Sequence, residues 1–155
     1  MELKTKVNAE EGRQDLLITR EFDLPVELLF RAYSEPELLE QWMGTRVLKM
    51  DNQKYGGYHF ETKDENGTVV FAANGTIHAF IPEEKITRTF EMMNAPYGVT
   101  LEFLEFEKLS DDTSRLTMHV VYRSNALRDE NLKLPFKQGV NWAHNELEKI
   151  AGKLK

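Results

Sequence analysis

Four histidines, His59, His78, His119 and His144, come first among residues able to do chemistry, because imidazole serves as acid, base or metal ligand near neutral pH. No two of them form a metal-binding i,i+4 pair, and no HExxH motif is present. His59, His78 and His119 are read as exposed or singly hydrogen-bonded strand residues. His144 and Glu148, one helical turn apart, are read as a solvated or helix-stabilising pair rather than an acid–base dyad. The absence of cysteine excludes disulfides, thiol catalysis, Cys-based zinc sites and iron–sulfur clusters. Ser34, Ser110, Ser114 and Ser124 lack a GxSxG context, and turn or capping roles suffice for them. The glycines form neither a P-loop nor a dinucleotide fingerprint. Glu102, Glu105 and Glu107 share one strand and are expected mostly at solvent or at an edge, since buried carboxylates need partners. No catalytic residue, metal ligand or cofactor site is assigned, and the balance leans away from an enzyme.

Arg20 and Arg88 differ from these, because each shares a strand face with apolar neighbours. A guanidinium inside a cavity can hold a ligand carboxylate. The alternative is an acidic partner, or a stem lying along apolar surface with its head in water.

The elements that must position these groups follow from periodicity. Gln14–Phe22 alternates as a strand, with Leu16, Ile18, Arg20 and Phe22 on one side. Pro25 opens a short helix carrying Val26, Leu29, Phe30 and Tyr33, and Pro36 opens a second with Leu38, Leu39 and Trp42. Arg46–Met50, Tyr58–Lys63, Val69–Ile81, Lys85–Met93, Val99–Lys108 and Ser114–Arg123 then read as consecutive strands. Asn66–Gly67 marks a two-residue hairpin, and a bend is expected at Gly75. Without crossover helices between them, these strands predict an antiparallel meander. Leu127–Lys133 reads as a helical turn or an ordered loop. Pro135 begins a helix to about Leu154, roughly 30 Å long at 1.5 Å per residue. Phe136, Val140, Ala143, Leu147, Ile150 and Leu154 form its apolar stripe.

A chain of 155 residues, 41% hydrophobic and 30% charged, fits one domain with a substantial core. Residues 14–155 are read as that single domain, and 1–13 as a flexible or loosely docked start. The net charge of −6 gives no general attraction to nucleic acid or anionic lipid. No signal core and no run of roughly 18 apolar residues is present, so a cytoplasmic protein without membrane insertion is expected.

The order of strand, two short helices, meander and long helix resembles the helix-grip fold of the START and birch-pollen-allergen (SRPBCC) superfamily. Within it, the chain resembles the domain named for homology to the activator of the heat-shock protein 90 ATPase. Carrying that resemblance are Arg20; Pro25, Phe30 and Ala32; Pro36–Glu37–Leu38 leading into Trp42; Gly56–Gly57; Gly75; Ile81–Pro82–Glu83; Thr113, Leu116 and Thr117; and Gly139 with Trp142. Thr45 stands after Gly44 where many relatives have proline. The resemblance implies an α+β fold, with a curved antiparallel sheet of about six or seven strands and the long C-terminal helix packed across it. Its members include chaperone co-factors, binders of lipids and polyketides, and cyclases, so function is less constrained than fold.

A sheet gripping one helix tends to leave space between them. A dry void of about 300 Å³ would cost on the order of 7 kcal/mol at ~24 cal/mol per Å³. That is comparable with the roughly 5–15 kcal/mol that stabilises a domain, so such a space must be filled, wetted or occupied. Trp42, Phe60, Arg88, Phe90, Met92, Met118, Val120, Tyr122, Phe136, Val140 and Leu147 are the expected walls and ligand contacts. The expected role is non-catalytic binding of a small hydrophobic or amphipathic molecule. The alternatives are a chaperone-associated or other protein-interaction module, and a cavity enzyme such as a cyclase or hydrolase.

Overall fold

The computed structural model describes residues 3–155. It begins with a three-residue strand, Lys6–Asn8 (β1), antiparallel to Asp15–Phe22 (β2). The start of the chain is thus more engaged than its charge pattern suggests. The Thr5 amide donates to Asn141 Oδ1 at 3.0 Å, tying the segment to the last helix; residues 1 and 2 lie outside the described residues. In β2 the alternation holds, and Leu16, Ile18, Arg20 and Phe22 are buried.

Two helices follow, Val26–Ser34 (α1) and Pro36–Met43 (α2), each started by a proline whose missing N–H costs nothing there. Gly44, at φ 64°, closes α2 in the left-handed conformation that glycine adopts freely, with Thr45 following it. Indole Nε1 of Trp42 donates to the Ala32 carbonyl at 2.8 Å and locks the two helices together.

The meander is Arg46–Met50 (β3), Gly57–Lys63 (β4), Val69–Ile81 (β5), Lys85–Met92 (β6), Val99–Lys108 (β7) and Ser114–Val121 (β8). All strands lie in one antiparallel sheet of eight, ordered β1-β2-β8-β7-β6-β5-β4-β3. The eighth strand, beyond the expected six or seven, is β1. The β4–β5 connection also differs from a two-residue hairpin. Lys63 pairs with Val69, and Asp64 Oδ1 accepts from the Asn66 and Thr68 amides, so the carboxylate organises a longer loop. At Gly75 a Cβ would lie 2.0 Å from the Thr89 carbonyl oxygen and 2.6 Å from the Tyr58 ring. Glycine is required there so that Tyr58 can lie across β5.

Ser124 caps a two-turn helix, Asn125–Leu132 (α3), its hydroxyl accepting from the Leu127 amide. The long helix is Phe136–Gly152 (α4). It stops short of Leu154, which is exposed and leaves the stripe unfinished. Its two halves do different work. Leu147 and Ala151 are buried with Leu29, Leu39 and Leu116 in the core, whereas Phe136, Val140 and Ala143 are only half-buried. Under that first half the core stops.

Candidate functional site

The space beneath the first half of α4 is a cavity of about 650 Å³. Its floor is the inner face of the sheet: Ile18 from β2, Phe90 and Met92 from β6, Met118 and Val120 from β8. Tyr33, Leu39 and Trp42 close one side, and Phe136, Val140 and Ala143 form the roof. Leu134, Pro135 and Gly139 are exposed and Tyr97 and Gly98 half-buried, so these lining residues mark its mouth.

Polar groups in this lining are few and fixed. Arg88 and Glu102 are direct cross-strand partners on β6 and β7, and Arg88 Nε donates to Glu102 Oε1 at 2.9 Å. The guanidinium lies over the Tyr58 ring, 5.1 Å from its centroid. Burial alone would lower the Arg88 pKa, but Tyr58 and Glu102 outweigh it and hold the cation above its ordinary value. Glu102 therefore corrects the expectation of an exposed carboxylate; Glu105 and Glu107 do point to solvent. Asn131 Nδ2 donates to the Tyr122 hydroxyl at 2.6 Å.

A second set of hydrogen bonds runs from the cavity to the opposite end of α4. Tyr33 and His144 line the cavity, with Tyr33 Oη 3.2 Å from His144 Nε2, and His144 Nδ1 is 3.0 Å from Thr5 Oγ1. Arg20, donor only, gives a proton to Thr5 Oγ1 and others to Asn145 Oδ1 and Glu148 Oε2. One assignment gives the Thr5, His144 and Tyr33 protons an acceptor each, while the buried Arg20 Nε–H has none. Thr5 donates to Nδ1, Nε2–H donates to Tyr33 Oη, and the Tyr33 hydroxyl donates to Met118 Sδ. His144 is thus a buried neutral tautomer, not the solvated partner of Glu148, which instead pairs with Arg20 at 3.0 Å. Arg20 takes the acidic-partner alternative.

Burial, and second the nearby Arg20 charge, pull the His144 pKa from 6.5 down to about 3. The unfolded chain takes up this proton near pH 6.5, while the folded protein resists until about pH 3. The contribution to stability is complete above the unfolded value and is lost as pH falls toward the folded one. Below about pH 5.5 the expected slope approaches about 1.4 kcal/mol per pH unit. Urea midpoints measured across that range should fall more steeply for the wild type than for His144→Gln. Identical slopes would contradict a buried neutral imidazole.

The remaining histidines do not converge. His59 is half-buried with Nε2 unpartnered, exposed His78 meets the Tyr55 ring, and His119 bonds Asp15 at 2.7 Å and stacks on Phe103. Among the described residues, no group of His, Asp or Glu side chains is placed to hold a metal.

Nine of the eleven residues expected as walls come together in this lining: Trp42, Arg88, Phe90, Met92, Met118, Val120, Tyr122, Phe136 and Val140. Phe60 and Leu147 do not, and both are fully buried in the core. Leu147 lies two turns beyond Val140, roughly 10 Å along the helix and past the end of the cavity. Phe60, on β4, packs against the Tyr58 ring within the core cluster. Glu102, Tyr33, His144 and Tyr97 were not anticipated as lining. For Glu102 a signal existed, since Thr100, Glu102, Leu104 and Phe106 share the buried parity of β7.

The family described as Activator of Hsp90 ATPase homolog 1-like protein matches residues 23–152. No curated protein matches the chain. Among solved structures, protein Ms6760 of Mycobacterium smegmatis is similar at 21% identity and a TM-score of 0.82, over 94% of this chain and 95% of that one. A Rhodobacter sphaeroides protein is similar at 18% identity and a TM-score of 0.84, over 97% and 99% of the two chains. At these identities the likeness is one of fold.

Proposed function

Because the chain belongs to the Activator of Hsp90 ATPase homolog 1-like family of the SRPBCC superfamily, whose fold commonly binds hydrophobic ligands, we propose that it binds a small hydrophobic or amphipathic molecule beneath the first half of α4 without transforming it. The observation that carries this reading is the cavity itself, about 650 Å³ with mostly apolar walls. Ligand sites span roughly 300–1,000 Å³ and share that composition. Left dry, such a space would cost on the order of 16 kcal/mol at ~24 cal/mol per Å³, more than the whole stability of an ordinary domain. Water can enter through the mouth, but apolar walls offer it few partners. An apolar guest displaces that water favourably, and Met92 and Met118 let the walls adapt to its shape.

The test is uptake of the fluorescent probe N-phenyl-1-naphthylamine, followed by native mass spectrometry after incubation with cell lipid extract. Wild type should take up the probe and retain small molecules. Ala143→Phe, which puts a ring into the roof of the cavity, should remain folded and lose both. Failure of folded wild type to take up the probe or retain any molecule rejects the reading.

A second reading, a cavity enzyme of the cyclase or hydrolase kind, is favoured by the convergence of Arg88, Glu102, Tyr33 and His144 on the same lining. It requires that bound molecules be chemically altered on incubation, and their recovery unchanged counts against it. A chaperone partner, suggested by the family's description, is a separate proposal addressed by pull-down.

A further inference from the structure

The charge state of the cavity's polar end says what kind of head group belongs there. Arg88 and Glu102 are set opposite each other by strand register, and their side chains are 9% and 11% exposed. Both line the cavity, so the exposure they keep is toward it. As a pair they carry no net charge. A carboxylate brought to Arg88 would place a second anion beside Glu102 in a poorly solvated space, and an ammonium would meet the guanidinium; like charges at such sites are strongly disfavoured.

The pair still has hydrogen bonds to give. Among the described residues, Arg88 reaches Glu102 through Nε alone, and neither its Nη groups nor Glu102 Oε2 has a protein partner. The Tyr58 ring covers one face of the guanidinium. What remains is a set of donors next to an acceptor, open to the cavity. Of the other polar groups of the lining, Tyr33 is bonded to His144 and Thr100 donates to the Phe90 carbonyl, the Tyr122 hydroxyl accepts from Asn131, and Tyr97 stands at the mouth.

We infer that the cavity selects an uncharged amphiphile whose head group both donates and accepts hydrogen bonds, such as an alcohol or a primary amide, and that Arg88 and Glu102 together read it. The head group accepts from an Arg88 Nη–H and donates to Glu102 Oε2, while its alkyl or ring portion lies along Phe90, Met118 and Val140. This inference rests on the cavity being a binding site, and it replaces the simpler expectation of a carboxylate held by Arg88.

The test is displacement of N-phenyl-1-naphthylamine by decanol, decanamide, decanoate and decylamine at pH 8, from the wild type and from Glu102→Gln. The substitution keeps the shape of the side chain and removes its charge. The ratio of decanol to decanoate affinity should be about tenfold larger in the wild type, because only there does the carboxylate ligand meet a like charge. Should Glu102→Gln fail to fold, the double variant Arg88→Met/Glu102→Leu takes its place: with both readers of the head group gone, decanol and decanamide should bind it about tenfold more weakly while probe uptake remains, and undiminished affinity there overturns the inference as well. A ratio unchanged between wild type and variant, or a wild type that prefers decanoate, overturns the inference while leaving the binding site intact. No displacement by any of the four, from a protein that takes up no probe, would instead remove the binding reading beneath it.

Discussion

Truncating Arg88 to alanine is expected to cost about 3–5 kcal/mol of stability, a large part of what holds a domain of this size together. The cost is not the worth of the ion pair. It arises because Glu102 stays behind, 11% exposed and without its cation, on the inner face of the sheet. Replacing both partners by apolar groups of similar length, as in Arg88→Met/Glu102→Leu, removes both desolvated charges at once. That double variant should lie within about 1–2 kcal/mol of wild type, or be more stable than it. Urea denaturation of the three proteins measures the difference directly. If Arg88→Ala matched wild type within about 0.5 kcal/mol, the pair would behave as a solvated surface bridge, and the low-dielectric setting of the cavity's polar end would be wrong.

The second large effect separates the two halves of α4. Leu147→Ala removes a fully buried side chain from the core and should cost about 2–5 kcal/mol, with probe uptake by the folded fraction unchanged. Val140→Ala, two turns earlier, widens a space that already exists. It should cost about 1 kcal/mol or less while changing affinity for the probe. Thermal or urea unfolding together with a probe titration gives both readouts for each variant. Equal stability losses at the two positions would mean that the helix buries one continuous stripe and that its first half covers no separate space.

Position along the chain decided what could be read in advance. The strands and helices were legible because period two and period 3.6 write burial directly into residue order, as Leu16–Phe22 and Phe136–Leu147 show. β1 was not legible: three residues, Lys6–Asn8, are too short to show a period, and they are a strand because β2 offers them an edge. The split within α4 was also hidden, since Val140 and Leu147 are both aliphatic on one stripe. Which of them meets a void depends on where the short helices stop filling the sheet. Nine expected wall residues converge because they share inward parity across neighbouring strands, or the inner face of a helix. Glu102 differs from the other two glutamates of β7 in parity, which aligns it with buried Leu104 and Phe106, whereas composition alone groups all three together. The setting of His144 is hidden for a different reason. The groups that enclose and bond it, Thr5 and Tyr33, lie 139 and 111 positions away in sequence, and no local pattern reports such contacts.

The most direct test of the binding cavity is diffraction from crystals soaked with an ω-bromo fatty alcohol. An anomalous bromine peak is expected within the space enclosed by Phe136, Val140 and Met118, with the hydroxyl at Arg88 and Glu102. A peak confined to the outer surface, or a cavity filled by rearranged side chains with no bromine inside, would contradict it.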